Sequence, residues 1–304
     1  MAFLAAQLDA YLRDAHAIEQ GALPRLRAAP EMAVDLPLAT AFRQHLVETE
    51  HHEQLIRDRL EARGVAPTRL KNAVFKAESP VDLVSQALAY EHLELAAYEL
   101  LRRLAALAGD NTTRVVATAI REDERAMAER LEACFDRAVD ASLRVADRAN
   151  LDKLVNKYLA YAHAIEARSI ELLERAPALA GDLDAAHVYE EHLDESREHQ
   201  RLIGERLEVR GGSTGETEHL SAKLAARTDT PAKLAAYMYA FEFLEVGAYE
   251  QLARVARRAG DGETERVSRA IAGAERGMAE RLWQTFAAAL DAALDATPAA
   301  VTVA

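Results

Sequence analysis

The chain lacks most features of secreted, membrane-spanning and nucleic-acid-binding proteins. One cysteine, Cys134, stands among 304 residues, so no disulfide can form within the chain. No run of about 18 uncharged apolar residues could form a transmembrane helix, and the first residues lack the basic segment of a secretory signal. The formal net charge of −13 argues against nucleic acid and anionic membranes as partners. We therefore expect a cytoplasmic protein that binds neither.

Aromatic residues are also scarce, at 6%, whereas Ala, Leu, Glu and Arg dominate, as is typical of helices. Apolar residues recur with helical spacing along nearly the whole chain, and no segment has the alternation of a strand. Proline and glycine interrupt this pattern, for example at Pro30, Ser79-Pro80, Gly109-Asp110, Gly181-Asp182, Thr230-Pro231 and Gly260-Asp261. The sequence predicts eight helices, at about 4–29, 36–63, 80–108, 112–140, 151–176, 183–210, 231–259 and 263–294.

The order of the helices repeats. YLRDAHAIE at 11–19 matches YLAYAHAIE at 158–166, an offset of 147, and EHLELAAYELL at 91–101 matches EFLEVGAYEQL at 242–252, an offset of 151. The change in offset places a four-residue insertion in the glycine-rich loop at 211–215, where insertions are tolerated. We expect one four-helix bundle at 1–145, a second at 146–296 and a loose tail at 297–304.

The two copies can be aligned with each other, and the unexpected matches are polar. On the second helix, His45, Glu48 and His52 fall within about 60° of one another, on the face that also carries Phe42 and Ile56. We therefore expect the matched polar side chains to point into the cores. The pairs are His16/His163, Glu19/Glu166, His45/His192, Glu48/Glu195, His52/His199, Glu91/Glu242, Glu94/Glu245, Tyr98/Tyr249 and Glu124/Glu275.

Five glutamates converge in each predicted core, and their charge needs an explanation. Burying one ionised carboxylate costs several kcal/mol unless it is paired or bound. Two neighbouring carboxylates can share a proton, but five cannot. Two divalent cations would nearly neutralise the set, with His52 as a nitrogen donor in the first half. The sequence therefore predicts a two-metal site in each bundle.

These segments resemble the ferritin-like superfamily of di-iron carboxylate four-helix bundles, and within it the YciE/YciF-like bacterial stress proteins. The resemblance rests on YLRDAHAIEQ, HLVETEHHEQL, EHLELAAYELL and EDERAMAERL with their counterparts in the second half. Its most specific part is the EH-x-E-x-x-x-Y pattern of the third helix. It implies an all-α fold in which two ferritin-like bundles form a pseudo-dimer within the chain, present as a monomer or as a homodimer.

The resemblance also implies a role for each matched residue. Tyr98 and Tyr249 suit a hydrogen bond to a ligand, whereas His16, His45, His163 and His192 are expected beside the ligands. The implied ligands are Glu19 and Glu166 on the first helix, Glu48 and Glu195 (bridging) with His52 and His199 on the second, Glu91, Glu94, Glu242 and Glu245 on the third, and Glu124 and Glu275 on the fourth.

Two departures from the family pattern bear on this ligand set. The fourth helix has Met127 and Met278 where E-x-x-H would place a histidine. On the second helix we prefer His52 to His51, because the residue that matches His51 is Glu198. His45 and His192 stay open as alternative nitrogen ligands. The histidines expected at the surface are His51, His92, His187 and His219.

Two functions fit these observations. The first is a non-haem di-metal protein that acts on O₂ or peroxide as an oxidoreductase or ferroxidase. Each bundle would hold two Fe ions or, alternatively, Mn ions. The second is a stress-related structural or interaction module whose metal site is vestigial or partly occupied. The missing histidine of the fourth helix favours the second.

Overall fold

The computed structural model describes residues 2–67, 77–145, 150–180, 183–213 and 228–295. These residues form α-helices and a short 3₁₀ turn at Pro177–Leu179, without a β-strand, which confirms the all-α prediction. The predicted break at 181–182, the last residues of the 211–215 loop, His219 and the tail at 297–304 lie outside this part. The helices are α1 (Ala2–Met32), α2 (Leu36–Ala62), α3 (Pro80–Leu107), α4 (Asn111–Val145), α5 (Leu151–Leu173), α6 (Leu183–Val209), α7 (Pro231–Ala259) and α8 (Gly262–Asp295).

The third helix of each half begins and ends at the residues that the sequence marked. The hydroxyls of Ser79 and Thr230 accept hydrogen bonds, both of 3.3 Å, from the backbone N–H three residues on, and proline follows each at the first helical position. Gly109 and Gly260 follow these helices with φ values of 71° and 77°, a left-handed conformation that glycine adopts without strain.

Three predicted helix ends are wrong, and one is the end of α4, which continues to Val145 instead of ending at residue 140. The helix α1 continues through Pro30 to Met32, with the N–H of Ala33 still bonded to the carbonyl of Ala29, and the chain turns at Val34, whose φ is 57°. The helix α5 ends at Leu173 instead of at residue 176. Pro177 has no N–H to donate to the carbonyl of residue 173, so the helix cannot continue there in regular form.

The helices form two four-helix bundles, one in each half of the chain. In the first, α1 and α4 each pack against α2 and α3, so α2 and α3 lie diagonally across the bundle. The helices α5 to α8 repeat this arrangement. Within the described residues, no helix has the length and apolar character needed to span a membrane.

The two bundles pack through α3 and α7, which makes the chain a pseudo-dimer. A Cβ added to Gly247 would lie 2.4 Å from Ser85 Oγ and 3.0 Å from Ser85 O, so the backbones approach closely. His92, predicted at the surface, is buried here and stacks on Phe243, because the second face of α3 meets the other bundle. Polar contacts between the bundles include Asp14–Lys233, Asp82–Gln251, Glu132–Arg276 and Asp136–Arg257.

Candidate metal centres

Each bundle holds two adjoining groups of histidine and glutamate whose potential ligand atoms lie within 4.8 Å of one another. In both bundles the glutamate of the fourth helix belongs to both groups. The groups are His45, Glu91, Glu94 and Glu124, with Glu19, His52 and Glu124, in the first bundle, and His192, Glu242, Glu245 and Glu275, with Glu166, His199 and Glu275, in the second.

In the first bundle, Glu124 lies between two histidines of α2. Its Oε2 is 3.3 Å from His45 Nε2, and its Oε1 is 2.9 Å from His52 Nδ1. Beyond them, Glu91 Oε2 is 3.1 Å from His45 Nε2, and Glu19 Oε2 is 4.0 Å from His52 Nδ1. His45 and His52 are two helical turns apart, so both face α4. The Glu124 carboxylate can therefore bridge two cations, with one histidine near each.

The second bundle repeats this geometry. Glu275 Oε1 is 2.7 Å from His199 Nδ1, and its Oε2 is 4.0 Å from His192 Nε2. Glu242 Oε1 is 3.1 Å from His192 Nε2, and Glu166 Oε1 is 3.7 Å from His199 Nδ1. Both copies of the repeat therefore bring the matching histidines and glutamates together.

Burial sets the charge state of these acids. Loss of water, followed by the repulsion from Glu94, raises the pKa of Glu19 to about 8. Burial likewise raises the pKa of Glu242 to about 7. The pKa values of Glu94, Glu124, Glu166 and Glu245 are raised well above their ordinary range for the same reason. Without cations the clusters therefore retain protons near neutral pH, which divalent ions would displace.

Several buried carboxylate oxygens of the clusters also lack well-aligned hydrogen bonds within the described residues. In the described part of the chain, both oxygens of Glu124 and both of Glu275 are buried and accept no well-aligned hydrogen bond. Such groups are rare in native proteins and call for a partner. Imidazole nitrogen and carboxylate oxygen are ligands that iron and manganese use, so the donor set fits a pair of divalent ions. Met127 and Met278 are fully buried core residues.

The structure places Glu48 and His45 the other way round from the sequence expectation. His45 lies within the cluster, whereas Glu48 is 23% exposed and accepts hydrogen bonds from His45 Nδ1 at 3.1 Å and Arg130 Nη2 at 3.2 Å. The hydrogen bond from His45 comes first among the causes that lower the pKa of Glu48 to about 2. Glu48 therefore orients the imidazole from outside, as carboxylates do behind metal-bound histidines.

In the second bundle, too, the histidine lies in the cluster and the glutamate lies at its edge. His192 is buried in the cluster, and the 40% exposed Glu195 lies 3.5 Å from His192 Nδ1 and 2.8 Å from Arg281 Nη2. The sequence reasoning missed Arg130 and Arg281. These arginines occupy matching positions of the repeat, 151 residues apart. Comparison of the two copies could therefore have identified them.

Tyrosines of the third helices hold the first-helix acids. Tyr98 donates a hydrogen bond to Glu19 Oε1, and Tyr249 donates one to Glu166 Oε1. All four side chains are buried. This is the hydrogen bond that the resemblance implied, and it leaves the second oxygen of each carboxylate for another partner, since no hydrogen bond reaches it within the described residues.

The first-helix histidines differ between the bundles. His16 is buried, with Nε2 2.9 Å from Glu53 Oε1, which lies outside the clusters. Gln200 occupies the position that matches Glu53, and His163 is half-buried, with a pKa lowered by burial. Glu53 was missed because the second copy does not keep it. Neither histidine is among the groups of potential ligands in the described residues.

One protein-family model matches both halves of the chain. A model of the family described as "Domain of unknown function (DUF892)" matches residues 4–144 and again residues 150–295. No curated protein matches the chain. A solved structure of a protein from Xanthomonas campestris pv. campestris is similar, with 27% identity over 46% of this chain and 96% of that chain, and a TM-score of 0.43. The chain therefore belongs to the DUF892 family of the ferritin-like superfamily and carries two copies of its domain.

Proposed function

We propose that each bundle binds two non-haem metal ions, iron or alternatively manganese, and that the protein is an oxidoreductase or ferroxidase that acts with O₂ or peroxide. The observation that carries the proposal is the bridging position of Glu124 and Glu275. Each is fully buried, accepts no well-aligned hydrogen bond within the described residues, and has one oxygen toward each of two histidines. A pair of such ions supplies redox chemistry that protein side chains lack.

The residues of the chain have separate roles in this proposal. Glu124 would hold both ions, with His45, Glu91 and Glu94 on one side and His52 and Glu19 on the other. Glu48 would fix the orientation of His45, and Tyr98 that of Glu19. The surrounding apolar core would exclude bulk water from the ions. The closeness to YciE/YciF-like stress proteins stays a prediction.

A structural or interaction module with an empty or partly filled site is the second candidate. Its support was the missing histidine of the fourth helix. The structure weakens that support, because α2 places two histidines beside Glu124, so the first cluster has nitrogen donors without one from α4. The same holds for His192 and His199 beside Glu275.

Metal analysis distinguishes the two candidates. After anaerobic loading with Fe(II) or Mn(II) and removal of free ions, we expect about four ions per chain. The double variant Glu124→Gln and Glu275→Gln should lose most of them, whereas the matched control Glu129→Gln and Glu280→Gln changes exposed residues of the same helices and should keep them. A wild-type protein without bound metal would contradict the proposal. Consumption of O₂ or peroxide by the loaded protein then tests the redox activity.

A further inference from the structure

A small cavity adjoins the cluster in the first bundle. It has a volume of about 20 Å³ and is lined by Arg25, Ala87, Tyr90, Glu91 and Glu94, together with apolar residues of α1, α2 and α3. A space of this size holds roughly one or two water-sized groups. Because Glu91 and Glu94 belong to the cluster, a molecule in the cavity would lie beside the cations that we propose there.

One wall of this cavity carries a buried positive charge. The guanidinium of Arg25 lies 3.3 Å above the centre of the Tyr90 ring, and the side chain is almost fully buried. Burial raises the pKa of Glu94, and the nearby Arg25 guanidinium has a smaller effect that lowers it. Glu94 Oε1 accepts no hydrogen bond within the described residues, and Glu91 Oε2 lies 3.1 Å from His45 Nε2.

The second bundle lacks this combination at the matching positions. Arg25 is replaced by Leu172 and Ala87 by Met238, which is fully buried. Methionine has a longer side chain than alanine, and leucine brings no charge. The cluster glutamates of α3 and α7 are the same in both bundles, so the difference concerns the surroundings of the site and not its ligands.

The charge balance differs accordingly. In the first bundle, four cluster carboxylates would balance two divalent ions. Arg25 adds a buried positive charge at the cavity, and the exposed Asp123, 3.2 Å from His52 Nε2, adds a negative charge where the second bundle has Ala274. In the second bundle four carboxylates and two divalent ions leave no excess. Arg25 makes no ion pair within the described residues, and a buried charge without such a partner is costly. The cavity beside Arg25 therefore favours one additional anion.

We propose that this cavity is a subsite for one small anion, of the size of azide or hydroperoxide, which binds beside the metal ions in the first bundle and not in the second. The inference rests on the proposed function, because the anion is attracted by Arg25 together with the bound ions. It makes the two bundles unequal: the first admits an exogenous anionic ligand, and the second binds metal alone.

Azide titration of Co(II)-loaded protein tests the proposal. Azide binding is followed by calorimetry and by the visible absorption of Co(II), with the Co(II) content of each sample measured. We expect one azide per chain although both bundles are loaded. Arg25→Leu and Ala87→Met, each of which introduces the residue of the second bundle, should weaken azide binding at least about tenfold with unchanged Co(II) content. The matched control Arg27→Leu changes an exposed arginine of the same helix and should leave the affinity unchanged.

The outcomes separate this inference from the proposed function. The anion subsite would be overturned, with the metal centres left in place, if fully Co(II)-loaded protein bound two azides per chain or none. The same conclusion would follow if Arg25→Leu and Ala87→Met both left azide binding unaffected. Failure of the wild type to bind Co(II), Fe(II) or Mn(II) would overturn both.

Discussion

His92 and Phe243 stack on each other across the junction of the two bundles, with 3.2 Å between ring centres. The two residues occupy matching positions of the repeat, 151 residues apart. His92 Nδ1 lies 2.8 Å from the carbonyl of Leu88, and burial lowers the pKa of His92 to about 3, so the ring is neutral at ordinary pH. The contact joins the two halves through the same face of α3 and α7.

Removing this ring should destabilise the chain. We expect His92→Ala to lower the free energy of unfolding by about 2–4 kcal/mol, because it leaves a cavity against Phe243. The control His51→Ala changes an exposed histidine and should stay within about 0.5 kcal/mol of the wild type. Denaturant titrations measure both, and equal stabilities would contradict the packing role of His92.

The close approach of α3 and α7 also depends on a glycine. Gly247→Ala should destabilise the protein by about 1–3 kcal/mol, because the new Cβ would meet both the side chain and the backbone of Ser85. Gly273→Ala and Gly277→Ala are the matched controls, since both lie inside α8 with nothing within 4 Å of the added Cβ. Each control should instead raise stability by about 0.5–1 kcal/mol, the helix propensity of alanine over glycine. Thermal unfolding of the three variants checks the opposite signs.

Glu48 and Glu124 should differ in their effect on metal binding. Glu48→Gln keeps a hydrogen-bond acceptor near His45 but loses the charge, so we expect metal affinity to fall about 10–100-fold. Glu124→Gln removes the bridging carboxylate and should abolish binding in the first bundle. Competition with a metal chelator measures both affinities. Equal losses would mean that Glu48 is itself a ligand.

Two aspartates at helix starts should make stability depend on pH. Asp110 accepts hydrogen bonds from the backbone N–H of Thr113 and from Arg59, and Asp261 does the same with Thr264 and Arg206. Partial burial opposes these bonds, but together they lower the pKa of both carboxyls. The stabilisation is therefore present above the unfolded pKa, about 3.9, and is lost as the pH falls through the lower folded value.

The corresponding variants test this dependence. Asp110→Ala and Asp261→Ala should each cost about 1–2 kcal/mol at neutral pH, as for other N-caps, and less at pH values below the folded pKa. Asp291→Ala, at an exposed position of α8, should cost less than about 0.5 kcal/mol at any pH. Denaturant titrations at neutral and acidic pH give the comparison. A cost that is independent of pH would contradict the role of the aspartate charge.

The repeat allowed much of the candidate site to be predicted. Glu19, Glu91, Glu94 and Glu124 were expected in the core of the first bundle, and all four lie there. They could be predicted because one helical face must be apolar, and an acid kept on that face in both copies has no surface role. Glu48 fell about 60° from His45, which is too small an angle to decide from sequence which side chain enters the cluster.

The sequence by itself determined the helices, the duplication and most of the acids, because these follow from local periodicity and from comparison of the two copies. Only the tertiary structure decided the rest. It placed His45 inside the cluster and Glu48 at its edge, buried His92 against the other bundle, and set Arg25 beside Glu94. Each of these depends on which helices are neighbours and how each is rotated, and helical spacing along one chain does not specify either.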